Sequence, residues 1–193
     1  ATSEQTTTPS SSADKIYKKI TVTPTFIATG ADNALGAYLQ FDNINKSNVS
    51  SNNVESGQDK AVVQLTDNVS TLLTGNYINV GESSTRSTSN YKTGTVTTIT
   101  LSSPVSQDDI QNGLNFFITV NGNNNGRKEI HLDGYNASNL AGQFSGKYFS
   151  GTNIYKAAET NLVWGVCLPG GATYNWPIER TSIASINSSF VNW

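Results

Sequence analysis

Between Leu114 and Val120 the chain reads LNFFITV, placing Leu114, Phe116, Ile118 and Val120 on alternate positions. A period of two marks a strand, because successive side chains leave it on opposite faces. The same period recurs at Leu35, Ala37, Leu39 and Phe41, at Ala61, Val63 and Leu65, and at Leu162, Trp164, Val166 and Leu168. Segments 77–80 and 95–101 read as further short strands, and Ile130 and Leu132 as part of another. Turn signals lie between them, among them NGNNNG at 121–126, where Asn-Gly steps supply the positive φ of a tight turn. Helical signals are confined to SPVSQDDIQNG, where Ser106 and Asp109 have capping-box spacing and Gly113 closes about two turns. Short strands punctuated by turns predict an all-β protein, an immunoglobulin-like β-sandwich.

The N-terminal region departs from that rhythm. Residues 1–14 contain eight Ser or Thr and too little apolar surface to bury, so they read as a polar tail without structure of its own. Residues 15–29 follow, with Ile16, Ile20, Val22 and Phe26 on even positions. That alternation outlasts an ordinary strand of about 5–6 residues, and Pro24, which has no N–H to donate, interrupts it. The expectation is a strand that leaves its own domain and completes a neighbour's, with Ile16, Ile20, Val22 and Phe26 as the plugs. Residues 30–193 would form the sandwich body.

Composition narrows the setting. Charged residues make up 13% of the chain, against about 25% in an average soluble domain. Polarity comes instead from 46 Ser and Thr and 23 Asn. A net charge of −2 without a basic stripe argues against nucleic acid as a partner. No apolar run approaches 18 residues, so no membrane span is expected. The chain has no Met and starts at the small residue Ala1, which reads as a processed, exported, extracellular chain. The sequons at Asn45, Asn48, Asn68, Asn136 and Asn187 are acceptors for N-linked glycans if it is exported, although this composition yields about that many by chance. Cys167 has no second Cys to pair with and reads as a buried small hydrophobe.

Chemistry-bearing patterns are sparse. The single His131 lies in KEIHLDG, opposite Ile130 and Leu132, and is expected to face solvent. One His and one Cys cannot make a zinc site. DNIN at 42–45 and DGYN at 133–136 are only loose oxygen clusters for calcium. A carboxylate pair for glycoside hydrolysis could be drawn from the acids, but Asp108-Asp109 is better explained by the first turn of a short helix. Trp176, in the loop sequence YNWPI, is the aromatic best placed as a sugar platform. A Lys–Asn isopeptide crosslink would need a buried carboxyl beside it. The reading is of a chain without catalytic residues, metal or cofactor.

The polar tail, the long alternation at 15–29, the Ser/Thr/Asn richness and the sequons together resemble donor-strand pilins, and in overall style the thread filaments of thermoacidophilic archaea. That resemblance implies a pilin-like incomplete sandwich, assembled head to tail into a glycosylated extracellular homopolymer serving adhesion or biofilm formation. The edge of one subunit would be repaired by backbone from the next. The competing readings are a monomeric carbohydrate-binding or adhesin sandwich, a viral coat protein and a small glycoside hydrolase. A low charge would suit an acidic exterior, since carboxylates protonate near pH 4 and a fold with few of them has little to lose.

Overall fold

The computed structural model of the chain describes residues 2–5, 15–27, 34–72, 88–120, 127–142, 144–145, 150–151 and 182. The strands are β1 (Thr2–Gln5), β2 (Ile16–Val22), β3 (Thr25–Phe26), β4 (Leu35–Asn45), β5 (Lys60–Thr66), β6 (Lys92–Thr93), β7 (Thr97–Ser106), β8 (Leu114–Val120), β9 (Lys128–His131), β10 (Phe144–Ser145) and β11 (Ser150–Gly151). A three-stranded sheet has the order β1-β2-β7, and a four-stranded sheet the order β5-β4-β8-β9. Both are antiparallel throughout. Strands β3 and β6 form a small ribbon, as do β10 and β11.

The two larger sheets face each other across one apolar core, so the fold is an all-β sandwich. Tyr17, Ile20, Val22, Ile99 and Leu101 enter the core from one sheet, and Ala37, Phe41, Ala61, Val63 and Leu65 from the other. Ile20, Phe41, Ile99 and Leu101 are fully buried. Ile110, from the helix α1 (Gln107–Asn112), closes one end. Helix α1 starts as its capping residues dictate. Ser106 Oγ accepts the Asp109 N–H at 3.0 Å, and Asp108 and Asp109 occupy the first turn, where the helix dipole favours negative charge.

The segment expected to leave its domain stays in it. Strand β2 pairs with β7 of the same chain from Ile16↔Ser106 to Val22↔Thr97. Ile20 and Val22 fill the chain's own core, Phe26 packs at its margin and Ile16 is half-buried. Within the single chain, then, the described part of this segment forms β2 and β3, each paired with a strand of the same chain. Two local features explain the long, irregular alternation. The ladder shifts between Tyr17 and Lys19, so the bulge lets Tyr17 face the same core as Ile20 although one position is odd and the other even. Pro24 then ends β2, and the chain re-enters a different ribbon at β3, with Thr25 opposite Thr93.

The polar tail is also partly placed. Thr2–Gln5 forms β1, which among the described residues pairs only with β2 and is outermost in its sheet. No helix among the described residues is long and apolar enough to cross a membrane.

Gly94 marks the tightest approach between the β3–β6 ribbon and the core sheet. A Cβ there would lie 2.6 Å from the Leu65 carbonyl oxygen and 2.7 Å from Phe26 Cε2. Backbone cannot yield to it, so Gly94→Ala is expected to destabilise by about 1–3 kcal/mol, read as a lower urea midpoint. A midpoint equal to that of the unaltered chain would show that the ribbon does not sit this close.

Candidate functional site

The four-stranded sheet has a second face, and most of the molecule's polar chemistry lies on it. In β8, Asn115, Phe117 and Thr119 are buried there, while Phe116 on the sandwich side is 39% exposed. The cleanest apolar alternation of the sequence thus lines the less protected face. Strand β8 lies between β4 and β9, and residues of the connecting segments around 55–59 and 132–142 bond together and to β9 on its other side.

Arg127 lies at the centre, 2% exposed. Its guanidinium carbon sits 4.8 Å from the Tyr38 ring centroid and 5.3 Å from that of Phe117, a cation–π arrangement. Nε donates to Glu129 Oε1 at 2.7 Å, Nη2 to Ser138 Oγ at 2.8 Å and Nη1 to Glu55 Oε1. Glu129, 0% exposed, gathers donors on both oxygens. Ser138 Oγ (2.6 Å) joins Arg127 on Oε1, and the Ser138 N–H (2.9 Å) and His131 Nε2 (2.8 Å) meet Oε2. Burial alone would raise the Glu129 carboxyl. The bonds from His131 and Ser138 and the charge of Arg127 outweigh burial and hold it below the ordinary carboxylate range. Burial would lower Arg127, but its bonds to Glu55 and the charges of Glu129 and Glu55 hold it above its usual value. Burial also pushes the Tyr38 hydroxyl up.

His131 is buried, not solvent-facing as the sequence suggests. It is 1% exposed and stacks on Phe117 at 4.6 Å. Its Nδ1 lies 2.9 Å from Asn115 Oδ1, an amide whose nitrogen is committed to Asp42 Oδ1 and the Asn136 carbonyl. Both ring nitrogens therefore lie within hydrogen-bond distance of an oxygen. This is not a hydrolytic triad. Ser138 Oγ donates to the Glu129 carboxylate and accepts from Arg127 but does not meet the imidazole, so the serine–histidine pairing of a triad is not formed. The network binds both connecting segments to the sheet.

Next to it opens a polar cleft of about 260 Å³, lined by Gln40, Asp42, Asp59, Lys60, Asn136, Ala137 and Asn139. Amide donors fix one oxygen of each carboxylate. Gln40 Nε2 (2.7 Å) and Asn115 Nδ2 (3.2 Å) meet Asp42 Oδ1, and Asn139 Nδ2 (2.9 Å) meets Asp59 Oδ2. The Asp59 N–H returns a bond to Asn139 Oδ1 at 2.9 Å. Asp42 and Asn136 come from the two loose oxygen clusters of the sequence and meet here. Gln40, Asp59 and Asn139 gave no sequence signal, because amides and short polar residues are everywhere in this chain.

The sequons separate by surroundings. Asn45 and Asn136 are exposed, and Asn45 Oδ1 accepts from Lys60 Nζ at 2.8 Å. That exposed Lys–Asn contact lacks the buried setting a crosslink needs. Asn48 is engaged at both ends of its amide by the Ser103 backbone, and Asn68 Oδ1 accepts from the Ser70 N–H and hydroxyl. Asn187, Trp176, Trp164 and Cys167 lie outside the described residues, as do the expected strands at 77–80 and 162–168 and the turn at 121–126.

Residues 16–193 match a family described as a domain of unknown function, DUF4842. The chain belongs to that family. The DUF4842 match begins at Ile16, the first residue of β2, and so takes in every described strand except β1. Comparison with curated proteins and with solved structures gave no match.

Proposed function

We propose that this chain is an extracellular, non-enzymatic binding module whose polar cleft takes a hydroxyl-rich ligand, a glycan. The observation that carries this reading is the fixed orientation of Asp42 and Asp59. Sugar hydroxyls need acceptors and donors held in place, and pre-ordered groups lose less entropy on binding. Here amides hold the two carboxylates, and Gln40, Asn136 and Lys60 stand beside them. Glu129, Arg127 and His131 are tied into the buried network beside it. A glycan array on the full chain should return a defined set of hits, and Asp59→Asn should weaken them at least tenfold. An array without hits, or hits indifferent to Asp59→Asn, would defeat the reading.

A second reading, self-association into an adhesive, glycosylated filament, is favoured by β1. Among the described residues this strand pairs with β2 alone, and it comes from the polar tail, so an equivalent strand from another copy could replace it. Deletion of residues 1–14 should then abolish filaments in electron micrographs; filaments of normal appearance would remove this option.

A further inference from the structure

We infer that the cleft is a binding site for a divalent cation of the calcium type, whether or not a glycan also binds there. The inference starts from Gln40, which lines the cleft and is only 4% exposed. Its amide nitrogen is committed to Asp42, which fixes the orientation of the group. Its Oε1 then has no donor among the described residues. A buried amide oxygen without a partner is a standing cost that a bound group relieves.

What surrounds that oxygen sets the class of the group. Asp42 keeps Oδ2, and Asp59 keeps Oδ1, outside the hydrogen bonds that anchor the two side chains. Asn136, exposed at the rim, has a side-chain amide oxygen that can turn toward the cation. The set is therefore two carboxylates and two amide oxygens, all hard donors, with the remaining positions open to water. Calcium accepts that mixture, taking 6–8 oxygens in flexible geometry, whereas magnesium demands a tighter octahedron and keeps its waters. No group of three His, Cys, Asp or Glu gathers as metal ligands among the described residues, which sets zinc and the softer metals aside. Lys60 also lines the cleft, its Nζ on Asn45 Oδ1, and offsets one of the two negative charges. A net charge of one fits the weak class of extracellular sites, with Kd of about 10⁻⁴–10⁻³ M.

The test uses the full chain and calcium chloride alone. At 10 mM calcium, Tm should rise by roughly 3–6 °C relative to sodium chloride of matched ionic strength. Magnesium at 10 mM should give less than half of that shift. Asp59→Asn, at an exposed position, should fold normally and lose the response. Gln40→Glu should lower Tm without calcium, because it faces Asp42, and should increase the calcium shift at least twofold. No calcium shift in the unaltered chain, equal shifts with magnesium, or a shift unchanged in Asp59→Asn would each overturn the inference. Glycan binding is scored separately in calcium-free buffer, so either result stands without the other.

Discussion

Replacing Arg127 by alanine is expected to destabilise the fold by about 3–5 kcal/mol, the usual consequence of removing one partner from a buried ion pair. The guanidinium serves Glu129, Glu55 and Ser138 at once and fills the space beside Tyr38 and Phe117. Without it, Glu129 stays in an interior with 0% exposure and loses its strongest charge partner. Thermal melts should show Tm falling by roughly 10 °C or more, given about 2–4 °C per kcal/mol for a chain of this size. Arg127→Lys should recover little, since an ammonium cannot reach three acceptors from one planar fork. A double-mutant cycle with Glu55→Gln should give a coupling energy of about 0.5–3 kcal/mol. A drop under 1 kcal/mol for Arg127→Ala would mean that the network contributes shape and no energy.

The second large effect is acid sensitivity. Glu129 titrates below its ordinary value in the fold, so the unfolded chain takes up its proton first as pH falls. The stabilisation is complete above the unfolded value of about 4.5 and drains away as pH drops through the folded one. One such carboxyl steepens the acid limb by up to about 1.4 kcal/mol per pH unit. Stability measured by urea titration between pH 6 and 2 should show that slope, and Glu129→Gln, less stable at neutral pH, should show a shallower one. Parallel limbs in the two proteins would refute the assignment. This outcome reverses an inference from composition. Few carboxylates suggested a fold with little to lose in acid, but a single carboxylate sealed among four hydrogen bonds matters more than many on the surface.

Much of the scaffold was legible in the residues. Alternation located β2, β4, β5 and β8, and Ser106 with Asp109 and Gly113 gave the helix and both of its ends. What alternation cannot give is the layer that covers each face. Leu114, Phe116, Ile118 and Val120 look like a core stripe, yet the opposite stripe of Asn115, Phe117 and Thr119 is the more deeply buried. The same blindness turned His131 outward on paper: it alternates with Ile130, and nothing nearby in sequence announces that Asn115 and Phe117 of β8 will meet its ring. The cleft was half visible, as Asp42 and Asn136. Its other half depends on β4, β5 and the 132–142 segment meeting in space. The bulge at Tyr17–Lys19 and the break at Pro24 made two ordinary strands look like one extraordinary one.

The ion cluster on β9 also polices how that strand is threaded. Sliding β9 by one residue along β8 would turn Lys128 and Ile130 onto the face of Phe117 and throw Glu129 and His131 onto the sandwich side. Such a misfit forfeits the whole set of carboxylate bonds and seats an uncompensated ammonium against Phe117. Incorrect pairings at this rim therefore reject themselves, and a short strand of four residues can find one alignment that its apolar content alone would never enforce.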